Sequence, residues 1–153
     1  MANTYSQIYI QVIFAVKGRQ SLIKKSWKEE LYKYITGIVK NNKQKLIAIN
    51  GVENHVHLFI GLKPNISLSD LIRDVKANSS KFINDRKLIK GKFNWQEGFG
   101  AFSYSHSHID KVYKYIMNQE EHHKKKTFSE EYIDLLKKFQ IEYDEKYIFE
   151  DVM

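Results

Sequence analysis

The sequence predicts an α+β fold in which helices pack on an antiparallel sheet. Three observations carry this: period-two runs rich in β-branched and aromatic residues, apolar stripes at helical spacing, and the order in which the two alternate. That order is β-α-β-β-α-β with helices appended, the ferredoxin-like arrangement, in which helices cover one sheet face and leave the other free. The 153 residues are 42% hydrophobic and 14% aromatic, enough for a packed core, and no repeat or long linker divides them. One domain is therefore expected over residues 1–153, with a core of about 5–126 and a helical tail of about 127–153.

Residues 5–17, "YSQIYIQVIFAVK", alternate at period two and predict the first strand. "SWKEELYKYITGIVKNN" predicts a helix opened by a Ser26–Glu29 capping box, with Trp27, Leu31, Tyr34 and Ile38 as its apolar stripe. "KLIAING" and "HVHLFIGL" read as two strands joined in a hairpin around Gly51, Glu53 and Asn54. Ser67 and Asp70 then cap a second helix that buries Leu68, Leu71, Ile72, Val75 and Phe82. "GKFNWQEGFG" is a glycine-bearing loop, and "AFSYSHS" a short fourth strand. Ser107 and Asp110 open a third helix that runs to His123, with Lys124–Lys126 suiting the negative end of its dipole. Tyr132, Leu135, Leu136 and Phe139 mark a last amphipathic helix.

Charge narrows the class of partner. The net charge is +7, but residues 127–153 hold eight acidic and three basic side chains, so residues 1–126 carry +12. A surplus of that size points to a polyanion, nucleic acid first, against the alternative of a lysine-rich soluble surface. The absence of cysteine excludes disulfides and thiolate metal sites. No apolar run is long enough to span a bilayer, and "MANTYSQIYI" has no signal-peptide pattern, so a cytoplasmic protein without a membrane partner is expected.

The chemistry concentrates in "ENHVHLFI". Alternate residues of a strand point to opposite faces, so Val56, Leu58 and Ile60 face the helices while His55 and His57 stand side by side on the other face. Two imidazoles on a rigid strand make a bidentate metal site; a pair that merely decorates a solvated face is the alternative. His106 and His108 form a second pair, but Ser107 lies between them where the chain turns into a helix, which assigns them to surface or DNA contact. In the third helix Tyr115 and Gln119 are i and i+4 and project from one flank, beside the stripe of Ile109, Val112 and Ile116. A tyrosine hydroxyl can attack phosphorus, and a glutamine oxygen can ligate a hard cation. His55, His57, Gln119 and substrate phosphate oxygens would suit Mg²⁺ or Mn²⁺, the imidazoles favouring Mn²⁺. Tyr113 is the competing nucleophile, but its i+4 partner is Met117 and it is expected nearer the core.

With "HVH" on a central strand and "YIMNQ" on a later helix, the chain resembles the HUH endonuclease superfamily (histidine, hydrophobe, histidine). Within it, the match is to the single-tyrosine insertion-sequence transposases and their REP-associated relatives. The resemblance runs from "IQVIFAVKGRQ" through "VKANSSKFIN" and "WQEGFGAFSYS" to "YIMNQEEHH" and the terminal "IEYDEKYIF". Gln11 departs from it, because many relatives carry a histidine in the first strand.

The resemblance implies a transposase that cuts and rejoins single-stranded DNA. His55, His57 and Gln119 would hold the cation, and Tyr115 would attack to give a 5′-phosphotyrosine, its proton passing to a base still to be identified. The implied substrates carry subterminal hairpins. The implied assembly is a homodimer in which one subunit's tyrosine helix completes the other's histidine pair. Lys17, Arg19, Lys76, Lys81, Arg86 and His122 would contact DNA; for any single lysine, simple solvation is the alternative. His122 and His123 either touch phosphate or cap the helix. Trp95, Phe99 and Phe102 either stack on bases or, for at least two of them, pack in the core. Two other functions remain open at this point: a non-catalytic nucleic-acid-binding module, which would place aromatics on an open sheet face, and a metal-dependent hydrolase without a covalent step.

Overall fold

The computed structural model describes residues 4–144. The end of "IEYDEKYIF" and the tail acids Glu145, Glu150 and Asp151 lie outside the described residues. Four strands, β1 (Tyr9–Ala15), β2 (Lys45–Val52), β3 (His55–Gly61) and β4 (Gly100–Tyr104), form one antiparallel sheet in the order β2-β3-β1-β4. Helices α1 (Lys25–Asn41) and α2 (Leu68–Asp85) follow β1 and β3, giving the expected β-α-β-β-α-β path. Helices α3 (Ile109–Met117), α4 (Gln119–His123) and α5 (Phe128–Lys138) come after β4.

The sheet is apolar on both faces, and that decides where the helices go. Val12, Phe14, Val56, Leu58 and Ile60 point to one face and pack with Leu31, Ile35, Leu71, Ile72 and Val75 of α1 and α2. Phe93 and Trp95 join that core, and Trp95 Nε1 donates to buried Ser79 Oγ at 2.9 Å. The other face presents Ile13, Ala15 and Phe102 to Phe128, Leu135 and Leu136 of α5. It also presents Ala48 and Phe59 to Val112 and Ile116 of α3. The face expected to stay free is therefore covered by α3 and α5. Apolar residues there would otherwise face water, at about 25 cal/mol per Å².

Several local expectations hold. The β2–β3 hairpin turns at Glu53–Asn54, and a Cβ on Gly51 would meet the His55 carbonyl oxygen at 2.2 Å, so no side chain fits there. Ser67 Oγ caps α2 by accepting from the Asp70 amide at 3.0 Å. Two expected caps are corrected. The first helical bonds of α1 run to the Lys24 carbonyl, from the Trp27 and Lys28 amides at 3.2 and 3.0 Å, which places Ser26 inside the first turn. His108, not Ser107, precedes α3, after a 3₁₀ turn at His106–His108. The buried stripe of α1 uses Tyr32 and Ile35, while Tyr34 is exposed and stacks on Phe82. Tyr113 is 43% exposed beside exposed Met117, which corrects its expected position near the core.

Candidate active site

His55 and His57 stand on the β3 face that looks toward α3–α5, opposite Ala15 and Ile13 of β1, and both are fully buried. Gln119, at the start of α4, is equally buried, and its Oε1 lies 3.4 Å from His55 Nε2. The Tyr115 ring sits 5.8 Å from the His57 ring, edge on. The structure thus gathers the four residues singled out in the sequence at one point within a single chain. Tyr115 and Gln119 do not share one continuous helix. The chain breaks at Asn118, between α3 and α4, where Asn50 of β2 donates from Nδ2 to the carbonyls of Ile116 and Met117 at 3.0 and 3.1 Å. Gln119 Nε2 still donates to the Tyr115 carbonyl at 3.4 Å, so the pair keeps its one-turn spacing.

The residue that ties the site together is Glu131 of α5, which the sequence reading missed. Its Oε1 accepts from His123 Nε2 at 2.8 Å and lies 3.2 Å from His57 Nε2 and 3.3 Å from His55 Nε2. Its Oε2 accepts from the Tyr115 hydroxyl and, at 3.2 Å, from Gln119 Nε2. The side chain is 2% exposed. The sequence carried a signal: Glu131 is i+3 from Phe128 and i−4 from Leu135, a carboxylate on the buried stripe of an amphipathic helix. Helix α5 is fixed at its start by a capping box of Thr127 and Glu130, and Arg19 donates to Ser129.

Burial sets the electrostatics. It pushes the His55 pKa down to about 4, against the partial support of Glu131, so this imidazole is neutral at pH 7. Burial would raise the Glu131 carboxyl, but the imidazoles of His123, His55 and His57 beside it outweigh burial and hold the group well below the carboxylate range. Burial, then the charge of Glu131, pushes the Tyr115 phenol above its ordinary value. His55 Nδ1 meets the acceptor Asn54 Oδ1 at 2.8 Å, so the single N–H of the neutral ring points there. Its Nε2 lone pair then faces two further acceptors, Gln119 Oε1 and Glu131 Oε1. A cation at this point would satisfy the lone pair of His55 Nε2 and the oxygens it faces.

Gln11 is the residue behind His57. Its Nε2 lies 2.9 Å from His57 Nδ1, and its Oε1 accepts from the Tyr104 hydroxyl at 2.9 Å. In this arrangement His57 donates from Nε2 to Glu131. A half-turn of the Gln11 amide reverses both bonds and frees Nε2 to ligate, as an orienting partner behind a metal ligand does.

Only part of the proposed DNA-contact set gathers near this cluster: Arg19 bonds Ser129 of α5, and the α2 residues lie elsewhere. Lys76 and Lys81 stand on α2, and Arg86 caps its C-terminal end; this helix packs on the opposite sheet face. Lys76 is half-buried over the Phe14 ring, donates to the Gln96 carbonyl at 2.8 Å and to that of Gly98, and burial pushes its pKa down to about 8. Lys81 pairs with Asp85 and Arg86 with Glu30. Lys17 lies in the exposed turn after β1. His122 does reach the site, its ring 5.1 Å from Tyr115. Trp95 and Phe102 are buried in the two cores. Two clefts of about 440 Å³ open beside the cluster. One is lined by Lys25, Lys28, Lys124 and His123, the other by Lys111, Lys138, Tyr115 and Glu131.

Comparison with known proteins places the chain in a family. Residues 4–119 match the family described as "Transposase IS200 like", and the chain belongs to that family of transposases. In particular, it is similar in structure to a candidate transposase from Deinococcus radiodurans R1. That likeness has a TM-score of 0.61 and 21% identity, and covers 76% of this chain and 94% of that one. It is also similar to a REP-associated tyrosine transposase bound to a REP hairpin, with a TM-score of 0.57, 13% identity, and 76% and 68% of the two chains covered. A comparison with curated proteins finds no match. Among the described residues, no helix is long and apolar enough to cross a membrane.

Proposed function

We propose that this transposase nicks and rejoins single-stranded DNA through a covalent bond to Tyr115. The observation that carries the reading is the convergence of the Tyr115 hydroxyl, both β3 histidines and Gln119 on one buried point. The donor set fits a divalent cation: His55 Nε2 presents a lone pair beside the oxygen of Gln119, and His57 can do the same. His55, His57 and Gln119 would hold Mg²⁺ or Mn²⁺, which when bound supplies Lewis-acid polarisation of the scissile phosphate. Tyr115 Oη attacks phosphorus, the 3′ oxygen leaves, and the strand stays on the protein as a 5′-phosphotyrosine. Glu131 Oε2 accepts the hydrogen bond of the Tyr115 hydroxyl and so orients the nucleophile, and the phenolic proton passes to solvent water as the bond to phosphorus forms. Attack by another 3′-hydroxyl reverses the step without ATP, because the phosphodiester energy is kept in the tyrosine linkage.

The substrate we propose is single-stranded DNA with subterminal hairpins, approaching through the two lysine-lined clefts. We propose a homodimer as the assembly, and in this chain Tyr115 lies against its own His57. A non-catalytic binding module would need an open aromatic sheet face. Here His55, His57 and Phe59 are buried beneath α3–α5. The test is a single-stranded stem-loop oligonucleotide incubated with Mn²⁺ or Mg²⁺. Wild type should form an adduct that survives denaturation, Tyr115→Phe should lose it entirely, and exposed Tyr113→Phe should keep it. A phosphotyrosine mapped to Tyr113 or Tyr104 would falsify the assignment.

A further inference from the structure

We propose that Glu131 and His123 are metal ligands, completing with His55 and His57 a four-ligand centre in the DNA-free protein. This rests on the reading that the β3 histidine pair holds a divalent cation, and adds two ligands from α4 and α5. The geometry is specific. One ring nitrogen from each of His55, His57 and His123 and a Glu131 oxygen lie within 4.8 Å of one another. Glu131 Oε1 is 3.3, 3.2 and 2.8 Å from the three nitrogens in that order. A tetrahedral centre with bonds of about 2.1 Å spaces its ligand atoms about 3.4 Å apart, so small side-chain rotations close the set around a cation.

Burial gives the second argument. Glu131 is 2% exposed, and the polar groups around it are imidazoles, a phenol and an amide. A carboxylate taken out of water needs compensating charge, and a dication at the imidazole nitrogens supplies it. The position of Glu131 is fixed from behind by the Thr127 capping box and by Phe128, whose ring lies 4.6 Å from that of His55. Its two oxygens divide the work, with Oε1 toward the imidazoles and Oε2 toward Tyr115 and Gln119. Three nitrogens and one carboxylate oxygen select Mn²⁺ or Zn²⁺ over Mg²⁺, which prefers an all-oxygen octahedron.

Calorimetric titration of chelator-treated protein with Mn²⁺, Zn²⁺ and Mg²⁺, without DNA, tests this. Wild type should bind one Mn²⁺ or Zn²⁺ and take up Mg²⁺ far more weakly. Glu131→Gln and His123→Asn should each weaken Mn²⁺ and Zn²⁺ binding by at least about tenfold. Glu131→Gln preserves side-chain shape, and its melting curve without metal reports whether it is folded. Added Mn²⁺ should raise the melting temperature of wild type and leave that of this variant nearly unmoved. If both variants bind Mn²⁺ like wild type while His57→Ala loses it, Glu131 and His123 are not ligands and the centre reduces to the histidine pair with Gln119. If wild type takes up neither Mn²⁺ nor Zn²⁺ until DNA is added, the proposed centre is also overturned, and the tyrosine chemistry stands on its adduct assay.

Discussion

A single carboxylate organises the residues of this site. Glu131 touches the histidine pair, His123, the tyrosine and Gln119, so each is positioned partly by a group from another helix. The same crowding makes the metal-free fold sensitive to acid. His55 has a folded pKa of about 4, lowered chiefly by burial, and an unfolded value near 6.5. Between those values the unfolded chain binds a proton that the folded chain refuses, so stability falls as pH drops from about 6.5 to about 4, by at most about 3 kcal/mol from this group. The groups facing His55 are His57 on its own strand, His123 on α4 and Glu131 on α5. Glu131 adds in the same direction, because its depressed pKa gives stability above the ordinary carboxylate range that is lost below it. In EDTA, the melting temperature should fall from pH 7 to pH 4.5, and His55→Asn should flatten that slope. An equal slope in the variant would mean that another group carries the acid sensitivity.

At the scale of elements, Asn50 decides where the tyrosine helix ends. Its two bonds satisfy the last carbonyls of α3 and set the break at Asn118. Asn50→Ala should cost about 1–2 kcal/mol in stability. It should also lower single-turnover cleavage about tenfold while Tyr115 remains the only adduct site, since a loosened α3 holds the nucleophile less well. Unchanged cleavage would mean that the α4 packing alone positions Tyr115. The contrast between legible and hidden features follows the range of the forces involved. The alternation of Val56, Leu58 and Ile60 with His55 and His57, the Glu53–Asn54 turn and the Ser67 cap depend on chain neighbours, and a sequence displays them. The Asn118 break depends on Asn50, 66 and 67 residues before the carbonyls it binds. Helix α5 showed an apolar face, but amphipathicity does not say which surface will cover it. Glu131 on that face was the readable clue, because a carboxylate among Phe128, Tyr132 and Leu135 is buried only where partners wait for it.

For the whole molecule, the two sheet faces divide the labour. Helices α1 and α2 build the larger core on one side, while α3, α4 and α5 close over the histidines on the other. Every group of the proposed chemistry comes from one chain: His55 and His57 from β3, Tyr115 from α3, Gln119 from α4 and Glu131 from α5. A tyrosine lent to a neighbouring subunit would require α3 to leave Ala48 and Phe59, against which Val112 and Ile116 are buried, and to give up the bonds to Asn50. That exchange exposes apolar surface unless a partner's α3 takes the same seat. The arrangement therefore predicts that each subunit uses its own tyrosine, in place of the shared sites implied by the resemblance. The check is complementation between Tyr115→Phe and His57→Ala, each inactive alone. Mixed under conditions in which subunits exchange, they should stay inactive, because every chain carries one lesion in its own site. Cleavage returning to a substantial part of the wild-type level, with heterodimers demonstrated, would show that α3 crosses between subunits and that the site is composite.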